Sequence, residues 1–369
     1  MGCRHKKFLE MRYVVISLDY EIFGNGTGDV RQHMIDPTDR MARIADRYEI
    51  PLTVFVDMEE VMAFERHASK LESSCGYNPY TLVRRQVEDL TGRGHDTQLH
   101  LHPQWYQANF ASGQWQLDET KATVDSLFES HGETSEYIGS RKAALEELAG
   151  SSAKPVSVYR AGAFSAQPGT KLIPALVDNE FKIDSSVVHG LQYRDEHVHL
   201  DYRPAPAGKT VWRVQDDVAV EDARGSLWEV PITSKPGRRL NQLTFGRLKA
   251  KFSPNVPKAQ QSRLVRQLGV KKQPVQMVKF LWQPVPLKFD FHNVSSRRLL
   301  SWMANVPKPP PGNLDVVVLI GHSKEHLDDA MFDRLLAGLK NEPDTRVASF
   351  GEIARMLPAL QPQKAPAMC

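Results

Sequence analysis

Two pairs of residues, each pair two positions apart, carry the chemistry of this chain. Asp19 and Glu21 close an apolar run, Tyr13-Val14-Val15-Ile16, and His100 and His102 lie in Leu99-His100-Leu101-His102-Pro103. Residues i and i+2 of an extended chain face the same side. The two carboxylates therefore share one face and the two imidazoles share another. Carboxylates and imidazoles near strand ends are the donor set of a divalent metal such as zinc, with room left for water. That set points to hydrolysis.

Such pairs meet only if strand ends lie side by side, and the pattern supplies the strands. Strand-like apolar runs at 13–18, 52–56, 97–102, 156–160, 181–183, 227–232 and 314–320 alternate with helical periodicities. The helices are expected at 37–48, 58–70, 81–91, 119–148, 171–179, 295–304 and 331–339, with a weak strand at 347–350 and a last helix at 352–357. This alternation is the signature of a mainly parallel sheet. Asp36 is expected to cap the first helix, with Pro37 at its first position. Asp19, His100, His102, Arg160, Asp184 and His322 all fall at the C-terminal ends of expected strands. In a parallel barrel those ends converge on one mouth, where the active site lies. The expectation is an α/β fold, one barrel domain over 12–357, with a basic insertion at 235–290 and a loose tail at 358–369.

Composition narrows the classes. The 369 residues are 41% hydrophobic and no apolar run approaches a membrane span. The start, Met-Gly-Cys-Arg-His-Lys-Lys, is basic without an apolar segment after it, and Lys6 stands where a myristoylation signal needs Ser or Thr. Three widely spaced cysteines, Cys3, Cys75 and Cys369, argue against a disulfide framework and for a reducing compartment, the cytosol. Thirteen basic and no acidic residues lie between Lys235 and Lys288, although the whole chain is only +3. A positive segment on an acidic body suits an anionic membrane surface, placing the protein at the inner membrane face, or an acidic glycan or nucleotide-sugar phosphate; a solvated loop is the plain alternative. No nucleic-acid-binding motif accompanies the charge.

The ordered segments resemble the polysaccharide deacetylase superfamily, also called the NodB-homology or carbohydrate esterase family 4 group. The strings are Ser17-Leu18-Asp19, Pro51-Leu52-Thr53-Val54-Phe55-Val56, Gly94-His95-Asp96-Thr97-Gln98-Leu99-His100, Tyr159-Arg160-Ala161-Gly162, Phe181-Lys182-Ile183-Asp184-Ser185-Ser186 and Leu319-Ile320-Gly321-His322. Leu-His-Leu-His-Pro and Gly-His-Ser-Lys are shared more narrowly with members from bacterial surface-polysaccharide loci. The resemblance implies a distorted barrel of about seven strands and a divalent metal held by one Asp and two His. It places Asp19 as general base, Arg160 as the residue orienting it, His100 as a metal ligand and His322 as general acid.

The family's second Asp position is Tyr20 here, and Glu21 follows. Either Glu21 is the metal carboxylate, or Asp19 is and the base lies elsewhere. The family's second His position is Gln104, and His102 is the better ligand chemically. Asp184 is placed to pair with Arg160 or His322, or to cap a helix. Gly162 and Phe164 sit in a turn suited to bind substrate and an oxyanion. Trp105 lines the sugar site or belongs to the core, and His95 is expected to be structural. The expected function is a metal-dependent hydrolase, with zinc as cofactor, removing an N- or O-acyl group from a carbohydrate, lipid- or nucleotide-linked, in surface-polysaccharide assembly. A non-sugar amide hydrolase and a catalytically inactive glycan-binding protein are the rival readings.

Overall fold

In chain order the strands are β1 (Arg12–Tyr20), β2 (Thr53–Asp57), β3 (Asp96–Leu101), the pair β4 (Asn109–Ala111) and β5 (Gln114–Gln116), β6 (Val158–Ala161), β7 (Ile183–Asp184), the pair β8 (Gln192–Arg194) and β9 (His199–Asp201), β10 (Trp212–Val214), β11 (Leu227–Glu229), the pair β12 (Ser234–Arg238) and β13 (Pro284–Lys288), β14 (Asp315–His322) and β15 (Thr345–Val347). The computed structural model describes residues 11–242, 281–309, 313–326 and 328–357. Most of the basic insertion and the expected loose tail lie outside the described residues.

One nine-stranded sheet runs in the order β10-β11-β7-β6-β3-β2-β1-β14, with β15 also on β1. β11, β7, β6, β3, β2, β1 and β14 are mutually parallel, and only β10 is antiparallel to its neighbour. The sheet curls into a half-barrel of the (β/α) type; with β15 it has eight parallel strands, against the expected about seven. Between β14 and the far edge the seam is bridged by threonines. Thr210 Oγ1 donates to Leu314 O (2.6 Å), and Thr233 Oγ1 accepts from Val318 N (2.9 Å).

The pleat divides the buried residues into two layers. Tyr13, Val15, Phe55, Val158, Ile183, Val316, Val318 and Ile320 pack together inside the curl. Val14, Ile16, Leu18, Val54, Leu99, Leu101, Tyr159, Val317 and Leu319 face the surrounding helices. Full burial of each such side chain stabilises the fold by roughly 1.5–3 kcal/mol. The inner face of β1 reads Tyr13, Val15, Ser17, Asp19. Apolar residues therefore fill the bottom of the curl and polar ones its C-terminal mouth.

Several helices differ from their expected extents. The first, Asp36–Arg47, continues directly from a wider turn over Arg31–Ile35, so Asp36 lies inside the helical run and caps nothing. The expected 58–70 helix is two, Met58–Arg66 and Ala68–Cys75. They break at His67, whose ring Nε2 reaches Ala108 O at 3.1 Å. The 119–148 helix begins only at His131, where Ser130 and Glu133 form a capping box. Residues 345–347 form the weak last strand, and Ser349 caps the helix Phe350–Met356.

Candidate active site

Register brings the singled-out residues to one place. In the parallel ladders Asp19 lies opposite His322, Asp57 opposite His100, and His100 opposite Arg160. Glu21 and His102 each stand one residue beyond the end of their strand. All these side chains are buried except that of His322, which is 16% exposed.

Glu21, His100 and His102 each offer one donor atom, and these atoms lie within 4.8 Å of one another. Glu21 Oε2 is 3.0 Å from His102 Nδ1 and 3.8 Å from His100 Nε2. His100 Nδ1 is 2.8 Å from Arg160 O. A carbonyl only accepts, so the proton is assigned to Nδ1, and the lone pair of Nε2 faces Glu21. Glu21 Oε2 is buried without a hydrogen-bond partner. An acceptor facing an acceptor in a buried site is what a cation between them would satisfy, so the donor set fits a divalent metal.

The buried carboxylates draw a proton to His102 when no metal is bound, and a cation would have to displace it. Asp19, Glu21, Asp57 and Glu60 are buried carboxylates, and the fixed cations among them are Arg160 and Lys324. Two carboxylates are left without a fixed counter-charge. Burial would raise Glu21, but Lys324 Nζ, 2.6 Å from its Oε1, and His102 hold it well below the usual carboxylate range. Burial would lower His102, but Glu21 and Asp57 push it well above the usual histidine range.

Beside this cluster stands an acid–base pair. Arg160 is fully buried, and its guanidinium lies 4.0 Å over the Phe55 ring. It donates from Nη1 to Asp19 Oδ1 (2.6 Å), from Nη2 to Ser17 Oγ (3.0 Å) and from Nε to Ser185 O (3.0 Å). Burial raises Asp19, yet Arg160, with help from His322, holds it below the ordinary value. His322 Nε2 is 3.5 Å from Asp19 Oδ2, and its Nδ1 is 3.6 Å from Glu325 Oε2. Burial lowers His322, but Glu325 and Asp19 outweigh it and raise it.

No protein-family model matches the chain, and no curated protein matches it significantly. Among solved structures, a protein from Mycobacterium smegmatis assigned to the polysaccharide deacetylases matches 97% of this chain and 95% of its own, with 16% identity and a TM-score of 0.50. The fold is that of the polysaccharide deacetylases. A Pseudomonas aeruginosa protein given the same assignment aligns at 12% identity over 96% of this chain and 94% of its own, TM-score 0.46. A family 4 carbohydrate esterase from Streptomyces lividans, in complex with acetate, aligns at 9% identity over 91% and 92%, TM-score 0.37.

Not every expected residue lies in the mouth of this deacetylase fold. Asp184 pairs with neither Arg160 nor His322. Ile183 fills the inner face, so the pleat turns Asp184 outward. There its carboxyl accepts from Ser186 Oγ (2.7 Å) and lies against Glu229, and it caps no helix. Trp105 is fully buried against Phe64 and Trp115 and offers no surface to a sugar. Its place after Pro103 turns it into the layer under the helices. Gly162 packs against His102: a Cβ there would stand 2.5 Å from His102 Cδ2 and 2.7 Å from Leu101 O. Phe164 is half-buried under Lys288 Nζ, 4.2 Å from its ring centre, with φ +64° after Ala163 at +50°. His95 is structural: its Nδ1 accepts from Leu52 N at 3.2 Å.

The sequence reading missed Asp57, Glu60, Lys324 and Glu325. Asp57 binds His102 Nδ1 through Oδ2 (2.8 Å) and caps the helix Met58–Arg66 through Oδ1. The signal was present, since Asp57 directly follows the apolar 52–56 run as Asp19 follows its own. Lys324 also donates to Ile22 O (2.8 Å). Its spacing two after His322 resembles the other i, i+2 pairs.

Proposed function

We propose that this chain is a metal-dependent hydrolase that removes an N- or O-acyl group from a carbohydrate. The observation that carries the reading is the meeting of two constellations at one mouth: Asp19 gripped by Arg160 and facing His322, beside Glu21, His100 and His102. The deacetylase fold adds the substrate class by analogy only.

Glu21, His100 and His102 would hold the metal, which supplies a Lewis acid for the acyl carbonyl. The rest of the work falls to this chain's side chains. Asp19 takes the proton of the attacking water, and Arg160 keeps its carboxylate ionised and aimed. His322, whose proton Glu325 and Asp19 help to hold, returns it to the leaving amine or alkoxide. The turn Gly162–Phe164 presents its backbone at the mouth, with two consecutive residues in the left-handed region. Such strain costs about 1–3 kcal/mol per residue and collects at binding sites.

The test is acetate release from N-acetylated and O-acetylated oligosaccharides by protein stripped of metal and then reloaded with zinc. Release that depends on zinc supports the reading. Stoichiometric zinc without release from any acetylated sugar would leave the fold and remove the activity.

A role in surface-polysaccharide assembly at an anionic membrane belongs to the same proposal. β12 and β13 carry Lys235, Arg238 and Lys288, and Trp282 beside them is 54% exposed. Among the described residues no helix is long and apolar enough to cross a membrane. Co-sedimentation with phosphatidylglycerol vesicles but not with phosphatidylcholine vesicles is expected.

A further inference from the structure

We propose that Glu21, Asp57 and Glu60 form a second, oxygen-only position for a divalent cation, an alternative to the position at Glu21, His100 and His102. The inference rests on the metal reading above and extends it to a second ion class, the hard cations such as Mn2+ and Ca2+.

The three carboxylates each bring one oxygen to within 4.8 Å of the others, and all three are buried. Each is placed by the fold. Asp57 ends β2 and caps the next helix, and Glu60 stands in that helix's first turn. Glu60 Oε2 accepts from Ile22 N at 2.9 Å, which ties the helix to the chain just past Glu21. Glu60 Oε1 has no hydrogen-bond partner, although Glu60 is fully buried; Glu21 Oε2 is in the same condition. Glu21 Oε2 has the two imidazoles near it, and a buried carboxylate oxygen without a hydrogen bond is costly unless a cation or a proton meets it.

Ligand chemistry separates the two positions. Two imidazoles and one carboxylate suit zinc, whereas carboxylates alone suit hard ions that take oxygen. Glu21 is common to both, and Lys324 already occupies its Oε1. Of the four buried carboxylates, two lack a fixed counter-charge, enough for one divalent ion. Occupancy is therefore mutually exclusive: a hard ion at the oxygen position keeps zinc out.

The experiment is equilibrium dialysis of the full chain with Zn2+ and with Mn2+, followed by metal analysis, on the native protein, His100→Ala and Glu60→Gln. Gln keeps an acceptor for Ile22 N–H. His100→Ala should lose zinc affinity by about tenfold or more and keep Mn2+ within a few-fold, and Glu60→Gln should do the reverse. In the native protein the two ions should displace each other at one equivalent in total. Unchanged Mn2+ binding in Glu60→Gln means that a proton alone meets that carboxylate, and the proposal falls. Equal loss of both ions in His100→Ala also overturns it. Zinc binding without any Mn2+ binding in the native protein overturns this proposal alone. Mn2+ binding without zinc overturns the imidazole position instead. Pulsed EPR of Mn2+ on the native protein needs no variant: directly bound nitrogen would overturn the oxygen-only assignment, and its lack supports it.

Discussion

Arg160 Nη1 donates to Asp19 Oδ1 at 2.6 Å, and neither side chain reaches solvent. β6 and β1 are separated by β3 and β2, so the pair ties together two strands that are not neighbours. A buried guanidinium is tolerated because its hydrogen bonds reach Asp19, Ser17 and Ser185 and its plane lies on Phe55.

Asp19→Asn keeps an acceptor for Arg160 and removes the base. Turnover should fall about 100- to 10,000-fold, while zinc binding stays unchanged, as the proposed ligand is Glu21. Arg160→Met leaves Asp19 buried and unpaired, which should cost about 3–5 kcal/mol in urea unfolding. Lost zinc binding in Asp19→Asn would make Asp19 the metal carboxylate.

Lys324→Met should separate metal affinity from stability. Without the ammonium, only His102 compensates Glu21 beside Asp57 and Glu60, so the metal-free protein should lose about 3 kcal/mol. The same change makes the mouth more negative. Zinc should then bind about tenfold tighter and raise the melting temperature by more than it does in the native protein. Weaker zinc binding would instead assign Lys324 to holding Glu21 in its binding geometry.

Gly162→Ala tests close packing on the imidazole. The added methyl meets His102 Cδ2 and Leu101 O at under 3 Å. A loss of about 1–3 kcal/mol is expected, together with about tenfold weaker zinc binding, since the His102 ring must move. Gly92→Ala is the control, because a Cβ there meets nothing within 4 Å. Equal behaviour of the two variants would show that His102 has room.

His95 should give the protein an acid-sensitive step. Burial holds it down to about 4, although Asp46 pulls upward. Between about 4 and the unfolded value near 6.5 the unfolded chain binds the extra proton, so stability rises with pH across that window. The contribution is fully present above about 6.5 and lost as pH falls through about 4, with a size of about 1–3 kcal/mol. His95→Asn, which can still accept from Leu52 N–H, should flatten the slope of unfolding free energy between pH 4 and 6.5. An unchanged slope would place the titration elsewhere.

Much of the mouth was legible because its signals are local. A polar residue ending an apolar run marks a strand end, and the period of two makes Asp19 and Glu21, or His100 and His102, share a face. The same rule applied to Asp184 failed at the boundary. A two-residue strand with Ile183 on the inner face sends Asp184 outward, and nothing near it in sequence states which face is inner. Trp105 was ambiguous for a related reason: an aromatic after a proline turn suits either a sugar or a core, and Phe64 and Trp115 decided it.

Which residues can share a face was thus written in the order of the chain, since side-chain alternation depends only on neighbours. Which faces meet was settled by the curl of the sheet, since Lys324 reaches Glu21 across 303 positions and Arg160 reaches Asp19 across 141. Contacts that distant leave no periodic trace. They exist only once parallel ladders have set β1 beside β14 and β3 beside β6, and burial has turned polar strand ends into a site where every charge needs a partner.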